Sequence, residues 1–73
     1  MYEKHYEKYR VNLSNNIKRF RKALGIAQER LALEAGVDRT LVSKIERQIA
    51  NPSVEILIRL SLSLNVSVSD LLN

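Results

Sequence analysis

The chain has 73 residues, of which 45% are hydrophobic, and carries a formal net charge of +4. This length supports one domain near the lower limit for a self-sufficient core, and the basic balance modestly favours a polyanionic partner. The absence of cysteine excludes disulfides and thiolate metal sites, and the single histidine, His5, forms no metal site by itself. No apolar run reaches about 18 residues and no signal-peptide pattern is present, so we expect a cytoplasmic protein without membrane association.

Residues 1–12 form a charged segment in which Tyr-Glu-Lys occurs at 2–4 and again at 6–8. Tyr2, Tyr6 and Tyr9 share one face at helical spacing. This pattern favours a loosely docked N-terminal helix over its alternative, an arm that contacts DNA. We therefore predict an N-terminal segment over residues 1–12 and a helical domain over residues 13–73.

The first helix of that domain is predicted over Leu13–Leu24. Three apolar residues recur on one face of it at i, i+3 and i+7: Ile17, Phe20 and Leu24. Gly25 is suited to the position just after the helix, where a left-handed conformation is common. Ile26 supplies the apolar residue expected after such a cap.

A second helix is predicted over Gln28–Ala35, with Leu31, Ala32 and Ala35 on its buried face. Gly36 follows and can take the positive φ of a tight turn. Asp38 is a natural N-cap for a third helix from Arg39 to about Arg47. Two short helices joined by a glycine-containing turn are typical of a helix-turn-helix DNA reader.

The third helix separates its apolar and polar residues onto different sides. The apolar arc consists of Leu41, Val42 and Ile45. The polar, basic side consists of Arg39, Thr40, Ser43, Lys44 and Arg47. Arginine can read guanine through two hydrogen bonds, and serine or threonine can serve several bases or a phosphate. The alternative is a merely solvated face, which the preceding glycine turn and second helix make less favourable.

A fourth helix follows the loop at 51–53, with Ser53 as its N-cap, and Ser67 with Asp70 forms a capping box for a short fifth helix. The fourth helix is apolar over an arc of roughly 240°, which exceeds what one side of a small domain can bury. We expect Val54, Leu57 and Leu64 to form its core stripe. The surplus apolar surface of this helix predicts a homodimer, whose two recognition helices would lie roughly 34 Å apart. The alternative is that the N-terminal tyrosine segment covers this surface within the monomer. The predicted interface residues are Ile58, Leu62, Val66, Val68, Leu71 and Leu72.

Residues 13–72 resemble the Cro/C1-type helix-turn-helix family of phage repressors and bacterial regulators. The matching segments are 17–25, 28–32, 35–37, 42–47, 51–53 and 64–72. The turn and start of the third helix, with the short chain, are most similar to restriction–modification controller proteins. The resemblance implies an all-α, compact five-helix, lambda-repressor-like fold, double-stranded DNA as the partner, and transcription regulation without a cofactor. The residues agree with a protein that is not an enzyme, since they show no nucleophile–histidine pairing and no phosphate-cradling glycine loop.

The resemblance also assigns roles to individual residues. Gln28 would contact a phosphate, aided by the positive end of the helix dipole. The bases would be faced by Arg39, Thr40 and Ser43, with Lys44 and Arg47 near bases or flanking phosphates. Arg21 and Glu46 would form an internal ion pair between the first and third helices. Glu29 occupies a position where some relatives contact RNA polymerase, although a glutamate in the first turn of a helix needs no other explanation.

The sequence departs from the family pattern after the third helix. Gln48, Ile49 and Ala50 stand where the family usually has a glycine and basic residues. We expect Gln48 to adopt a conformation that glycine tolerates better, at a cost on the order of 1 kcal/mol. Ala27 replaces the usual serine or threonine cap of the second helix. The missing basic residues motivate an alternative function, a protein-interaction or antitoxin-like module of the same fold with weak or no DNA binding.

Overall fold

Residues 2–73 fold into five α-helices. The computed structural model describes the backbone of these residues and the side chains of residues 6–73. Met1 and the side chains of residues 2–5 lie outside the described residues, and the predictions for Tyr2 and His5 lie there with them. The helices are α1 (Tyr2–Leu24), α2 (Gln28–Ala35), α3 (Leu41–Glu46), α4 (Val54–Leu64) and α5 (Val68–Leu72). The all-α prediction is therefore confirmed over residues 2–73.

The first helix is longer than predicted, since it begins at Tyr2 and not at Leu13. It crosses the predicted boundary after residue 12 without a break. Tyr6 and Tyr9 continue the helical register of Leu13 and Ile17, and no glycine or proline occurs before residue 25. The periodic signal therefore extends through the N-terminal segment, and one continuous helix results.

A left-handed glycine ends α1 as the sequence predicts. Gly25 has a φ of +69°, and its N–H donates to the carbonyl of Lys22 at 3.0 Å. Ile26 then packs against the core, which agrees with its predicted role after the cap. Leu24 is half-exposed, contrary to its predicted place on the buried face. The chain turns at Gly25, so Ile26 closes this end of the core in its place.

The core lies between α1, which packs against α3 and α5, and α2, which packs against α3 and α4. Its buried residues are Leu13, Ile17, Leu31, Ala32, Ala35, Val42, Ile45, Leu57, Leu60, Leu64 and Leu71. Two predictions are corrected here. Leu71 is fully buried within its own chain, so it cannot offer its side chain to a dimer interface. Val54 is exposed because it opens α4 at the edge of the bundle, so it does not belong to the core stripe.

The last two helices are fixed by side-chain caps and by α1. Ser53 accepts a hydrogen bond from the N–H of Ile56, and Ser67 with Asp70 forms the predicted capping box. Carbonyl groups at the end of α5 find donors on α1. Asn12 Nδ2 donates to the carbonyl of Leu72, and Asn16 Nδ2 to that of Leu71, each at 3.0 Å. These bonds satisfy carbonyls that the short helix leaves without internal partners.

Candidate nucleic-acid interface

The turn between α2 and α3 depends on glycine. Gly36 has a φ of +69° and donates its N–H to the carbonyl of Leu33 at 3.2 Å. Val37 donates to the carbonyl of Ala32 at 3.0 Å and packs against the core. A Cβ atom at position 36 would also lie 3.1 Å from Nη1 of Arg59. Glycine therefore suits both the backbone conformation and the space at this position.

The start of α3 differs from the predicted one. The helix begins at Leu41, and Arg39 and Thr40 lie in a turn before it. Asp38 Oδ1 accepts from the backbone N–H of Thr40 at 2.8 Å and from its hydroxyl at 2.7 Å. These bonds from Thr40 hold the pKa of Asp38 below its ordinary value. Asp38 thus caps the turn and not the helix itself, because its carboxylate bonds within the turn.

The polar residues of this unit lie on its outer surface. Val42 and Ile45 are buried and Leu41 is packed against the core, so they anchor the helix. The opposite side presents the predicted DNA-binding residues. Arg39, Thr40, Lys44 and Arg47 are exposed, and Ser43 is half-buried. The unit therefore exposes three cations and two hydroxyl groups along one short helix and the turn before it.

Arg39 has an acidic neighbour on the preceding helix. Its Nη2 lies 3.2 Å from Oε1 of Glu29, in the first turn of α2, and both side chains are well exposed. The other exposed carboxylate of α2, Glu34, pairs with Arg30 within the same helix at 2.9 Å. The contact of Arg39 with Glu29 therefore links the turn before α3 to α2 across the outer surface of the motif.

A buried ion pair holds the motif to α1. Nε of Arg21 lies 2.7 Å from Oε2 of Glu46, and these side chains are only 13% and 5% exposed. Arg21 also donates to the carbonyl of Ile26 at 2.8 Å. The amide of Gln28 donates to Oε1 of Glu46 at 3.0 Å. The two residues expected to pair therefore lie in a network that joins α1, α2 and α3.

The environment of Glu46 shifts its pKa. Desolvation pushes the pKa of this carboxylate upwards, but the hydrogen bonds from Arg21 and Gln28 and the charge of Arg21 outweigh it. The pKa of Glu46 therefore lies below its ordinary value. The same hydrogen bond raises the pKa of Arg21. Both members of the pair are thus charged at neutral pH.

Acid should weaken the fold through this site. Because the native pKa of Glu46 is lowered, the unfolded chain binds more protons, and this contribution to the free energy of unfolding is lost as the pH falls below about 5. The stabilisation contributed by Glu46 is fully present above the ordinary pKa of glutamate, and it is lost as the pH falls through the lower native pKa. In urea melts across this pH range, the free energy of unfolding should fall more steeply with decreasing pH for the wild type than for Glu46→Gln. The pKa values of Asp38 and Asp70 are also lowered, so these residues should contribute to the slope in both proteins. Equal slopes in the two proteins would contradict a contribution from Glu46.

Gln28 stands at the N-terminus of α2, where a phosphate contact is expected. Ala27, the residue before it, offers no side-chain cap to the helix. The first N–H groups of α2 therefore lack a side-chain partner, which is the arrangement that favours an anion. The amide of Gln28 is oriented by Glu46, and an amide nitrogen carries a second hydrogen that this bond does not use.

The comparisons with known proteins agree with this geometry. A helix-turn-helix family model matches residues 17–71, which is most of the chain. The chain belongs to the Cro/C1-type helix-turn-helix family. It is 42% identical over 62 residues to the transcriptional regulator SinR of Bacillus licheniformis, covering 84% of this chain and 56% of SinR. The chain thus spans little more than half the length of that relative.

Two solved structures share the fold of this Cro/C1-type chain. The hypothetical transcription factor NHTF from Neisseria has a TM-score of 0.86 and 35% identity, covering 89% of this chain and 75% of NHTF. The restriction–modification controller protein C.AhdI from Aeromonas hydrophila has a TM-score of 0.80 and 31% identity. This match covers 85% of this chain and 94% of C.AhdI. The predicted family and fold are therefore confirmed, and the family is one of regulators and not of enzymes.

The segment after α3 has the left-handed turn predicted from the family pattern, but not the basic residues of that pattern. Gln48 has a φ of +66°, as its place in the glycine position predicts. It donates its N–H to the carbonyl of Ile45 at 3.0 Å, and Ile49 donates to that of Lys44 at 3.0 Å. Ile49 is exposed and apolar where a basic residue is usual. The turn therefore persists without glycine, at the cost of a left-handed glutamine.

Replacing this glutamine by glycine should stabilise the protein. Gln48→Gly removes the left-handed penalty and should raise the free energy of unfolding by about 0.5–1 kcal/mol, after the entropy cost of glycine. Urea denaturation at neutral pH measures the change. Arg47→Gly is the matched control, because Arg47, the residue before Gln48, has a φ of −90° and so has no left-handed penalty to remove. Glycine at position 47 should therefore lower the free energy of unfolding. Equal losses of stability in both variants would contradict the expected strain at Gln48.

The outer side of α4 carries an apolar stripe made of Val54, Ile58 and Leu62, one helical turn apart. All three are exposed within the monomer. Val66, in the turn after α4, and Val68, at the start of α5, are partly buried against the core. Of the predicted interface residues, Ile58 and Leu62 are therefore the most open to a partner.

Tyr6 and Tyr9, the tyrosines of α1 whose side chains are described, lie away from this stripe. Tyr6 and Tyr9 line a groove of about 420 Å³ together with Leu57, Pro52 and Leu72. Tyr6 and Tyr9 therefore border Leu72, one of the predicted interface residues, but leave the stripe of Val54, Ile58 and Leu62 exposed.

Two kinds of site are not found in the described part of the chain. Among residues with described side chains, no three His, Asp or Glu residues come together in a way that could hold a metal ion. None of the helices described above combines the length and the apolar character needed to cross a membrane.

Proposed function

We propose that this chain is a sequence-specific DNA-binding transcription regulator that acts as a homodimer on a palindromic operator. The observation that carries the proposal is the side-chain arrangement of α3 and the residues that flank it. The apolar residues of α3 are anchored in the core. Polar side chains of α3 and its flanks remain exposed or half-buried: Arg39, Thr40, Ser43, Lys44 and Arg47. A short helix with this arrangement fits the major groove.

In the proposed complex, the turn before α3 and its first residues reach the base edges. Arg39 suits a guanine, because its planar guanidinium can donate two parallel hydrogen bonds. Ser43 offers a hydroxyl group for a base or a phosphate, whereas the hydroxyl of Thr40 donates to Asp38 and would accept a hydrogen bond from a base. Lys44 and Arg47 lie further along the helix and suit flanking phosphates. These contacts fix both the sequence and the register on the duplex.

The N-terminus of α2 would hold the complex to the phosphate backbone. Ala27 leaves the first N–H groups without a side-chain cap, and Gln28 is oriented by the buried pair of Arg21 and Glu46. A phosphate placed there would meet N–H donors, the helix dipole and an amide. The ion pair itself acts as a scaffold and does not read DNA.

A homodimer would bring two such surfaces to neighbouring half-sites. The exposed stripe of Val54, Ile58 and Leu62 is the apolar surface that supports this assembly. A twofold axis through the stripe would give a self-complementary contact. Two recognition helices roughly 34 Å apart would then match one turn of DNA and a palindromic site.

The regulatory context that the relatives favour is restriction–modification control. C.AhdI, a restriction–modification controller protein, is matched by this chain over 94% of its own length. The genes beside this one test the proposal: an adjacent restriction enzyme gene would support it, and an adjacent toxin gene would favour the antitoxin-like alternative.

Base reading by Arg39 is tested by an alanine variant. The operator is first selected from a random pool of duplexes by the wild-type chain. Arg39→Ala should then weaken operator binding by about 1–3 kcal/mol and relax the preference at one base pair. Titrations on the operator and on a scrambled duplex measure both effects.

Arg59→Ala is the control, since Arg59 is another surface arginine paired with a glutamate, at 3.1 Å from Glu55. It should leave operator preference unchanged. Equal weakening of Arg39→Ala on both duplexes would make Arg39 a phosphate contact. A wild type that selects no sequence would favour the protein-interaction alternative.

A further inference from the structure

Glu29 is a carboxylate placed beside the surface proposed to bind a polyanion. Its Oε1 lies 3.2 Å from Nη2 of Arg39, and both side chains are open to solvent. An exposed pair of this kind adds little to the stability of a fold. Its main effect must therefore fall on what Arg39 can do when DNA approaches.

The contact leaves most of the guanidinium free. Only Nη2 of Arg39 bonds to Glu29, and a guanidinium has five N–H donors in one plane. The donors away from the carboxylate can still form the two parallel bonds that guanine requires. The arginine therefore arrives at the duplex already oriented, with less side-chain freedom to lose.

The same carboxylate discourages the wrong contact. To contact a phosphate at an arbitrary position on the DNA backbone, the guanidinium of Arg39 must leave Glu29. The carboxylate of Glu29 also repels that phosphate. A guanine edge carries no net charge, so it is not repelled in this way. The contact therefore weakens backbone binding more than base reading, and this difference is what specificity requires.

We propose that Glu29 is a positioning residue for Arg39, which raises the ratio of operator binding to non-specific binding. This role rests on the proposed function, since it acts through base reading by Arg39. It distinguishes Glu29 from Glu34, an equally acidic residue of α2 that pairs with Arg30 in its own helix. Asp38 also interacts with Arg39 through its charge, but its Oδ1 bonds to Thr40, so Glu29 supplies the hydrogen-bonding carboxylate.

The test removes the charge of Glu29 while keeping its shape. Glu29→Gln should tighten binding to a scrambled duplex by about fivefold and tighten operator binding less, because one repulsion is lost without a new base contact. The specificity ratio should therefore fall, and the base preference at the pair read by Arg39 should flatten. Glu34→Gln, the matched control, should change both affinities by the same small factor.

The variants are compared again in an Arg39→Ala background, where Glu29→Gln should no longer change the specificity ratio. Circular dichroism melts establish that each variant is folded. A ratio that is unchanged by Glu29→Gln, or that falls equally without Arg39, would overturn the positioning role alone. A wild type that binds operator and scrambled duplexes equally would overturn the proposed function, and the role of Glu29 with it.

Discussion

Glu46→Ala is expected to lower the free energy of unfolding by about 2–4 kcal/mol, because it leaves a largely buried arginine without its partner. Nε of Arg21 lies 2.7 Å from Oε2 of Glu46, and both side chains are nearly inaccessible to solvent. The amide of Gln28 loses its acceptor as well. The slight exposure of Arg21 places the expected loss below that of a fully buried pair. For a small domain of marginal stability this is a large part of the total.

Urea denaturation followed by circular dichroism measures the loss, with Glu34→Ala as the control. Glu34 also pairs with an arginine at 2.9 Å, but that pair is exposed and should contribute no more than about 1 kcal/mol. The two variants thus compare the same residue type and a similar distance at different burial. A double variant, Arg21→Met with Glu46→Leu, should recover part of the loss because no buried charge remains unpaired. Equal, small effects of both alanine variants would contradict the importance of burial.

Features that depend on local chemistry could be predicted from the sequence. Gly25 and Gly36 take the left-handed conformation, and Ser53 caps α4 through its own hydroxyl. The capping box of Ser67 and Asp70 is likewise formed by residues three positions apart. In each case the residues that decide the conformation are neighbours in the chain. The left-handed glutamine at 48 also followed from its place in the family pattern.

Features that depend on distant contacts could not be predicted so well. Asn12 and Asn16 bind carbonyls of α5 that lie 60 and 55 residues away in the sequence. No local pattern indicates these partners. The link between Glu29 and Arg39 has the same origin, since the two residues lie on different elements ten positions apart. Opposite charge was the available signal, and it does not by itself select one partner among several.

The errors on α4 and α5 have a related cause. A helical wheel shows which residues share a side, but it does not show which sides the rest of the chain covers. Val54 is exposed because it opens the helix at the edge of the bundle, and Leu71 is buried because α5 packs on α1. The stripe of apolar residues left exposed could therefore be located only once the packing was known.

Leu62→Glu is expected to convert a dimer into a folded monomer. Leu62 is 75% exposed, so a glutamate there remains solvated in the single chain and should leave the circular dichroism spectrum and the melt nearly unchanged. In the proposed dimer the same carboxylate would be buried against the stripe of the other subunit without a partner, which opposes association. Operator binding should fall by about a hundredfold, because two linked half-site contacts become separate ones.

Leu33→Glu is the matched control for association, because Leu33 is a leucine of α2 that is 74% exposed and lies outside the stripe. Both variants add the same charge at the same exposure, so a general effect of charge on self-association would appear in both. Sedimentation should show a dimer for Leu33→Glu and a monomer for Leu62→Glu. A Leu62→Glu protein that remains dimeric would place the interface on another surface. A wild type that is monomeric at high micromolar concentration would contradict the homodimer, and each recognition helix would then have to bind its half-site alone.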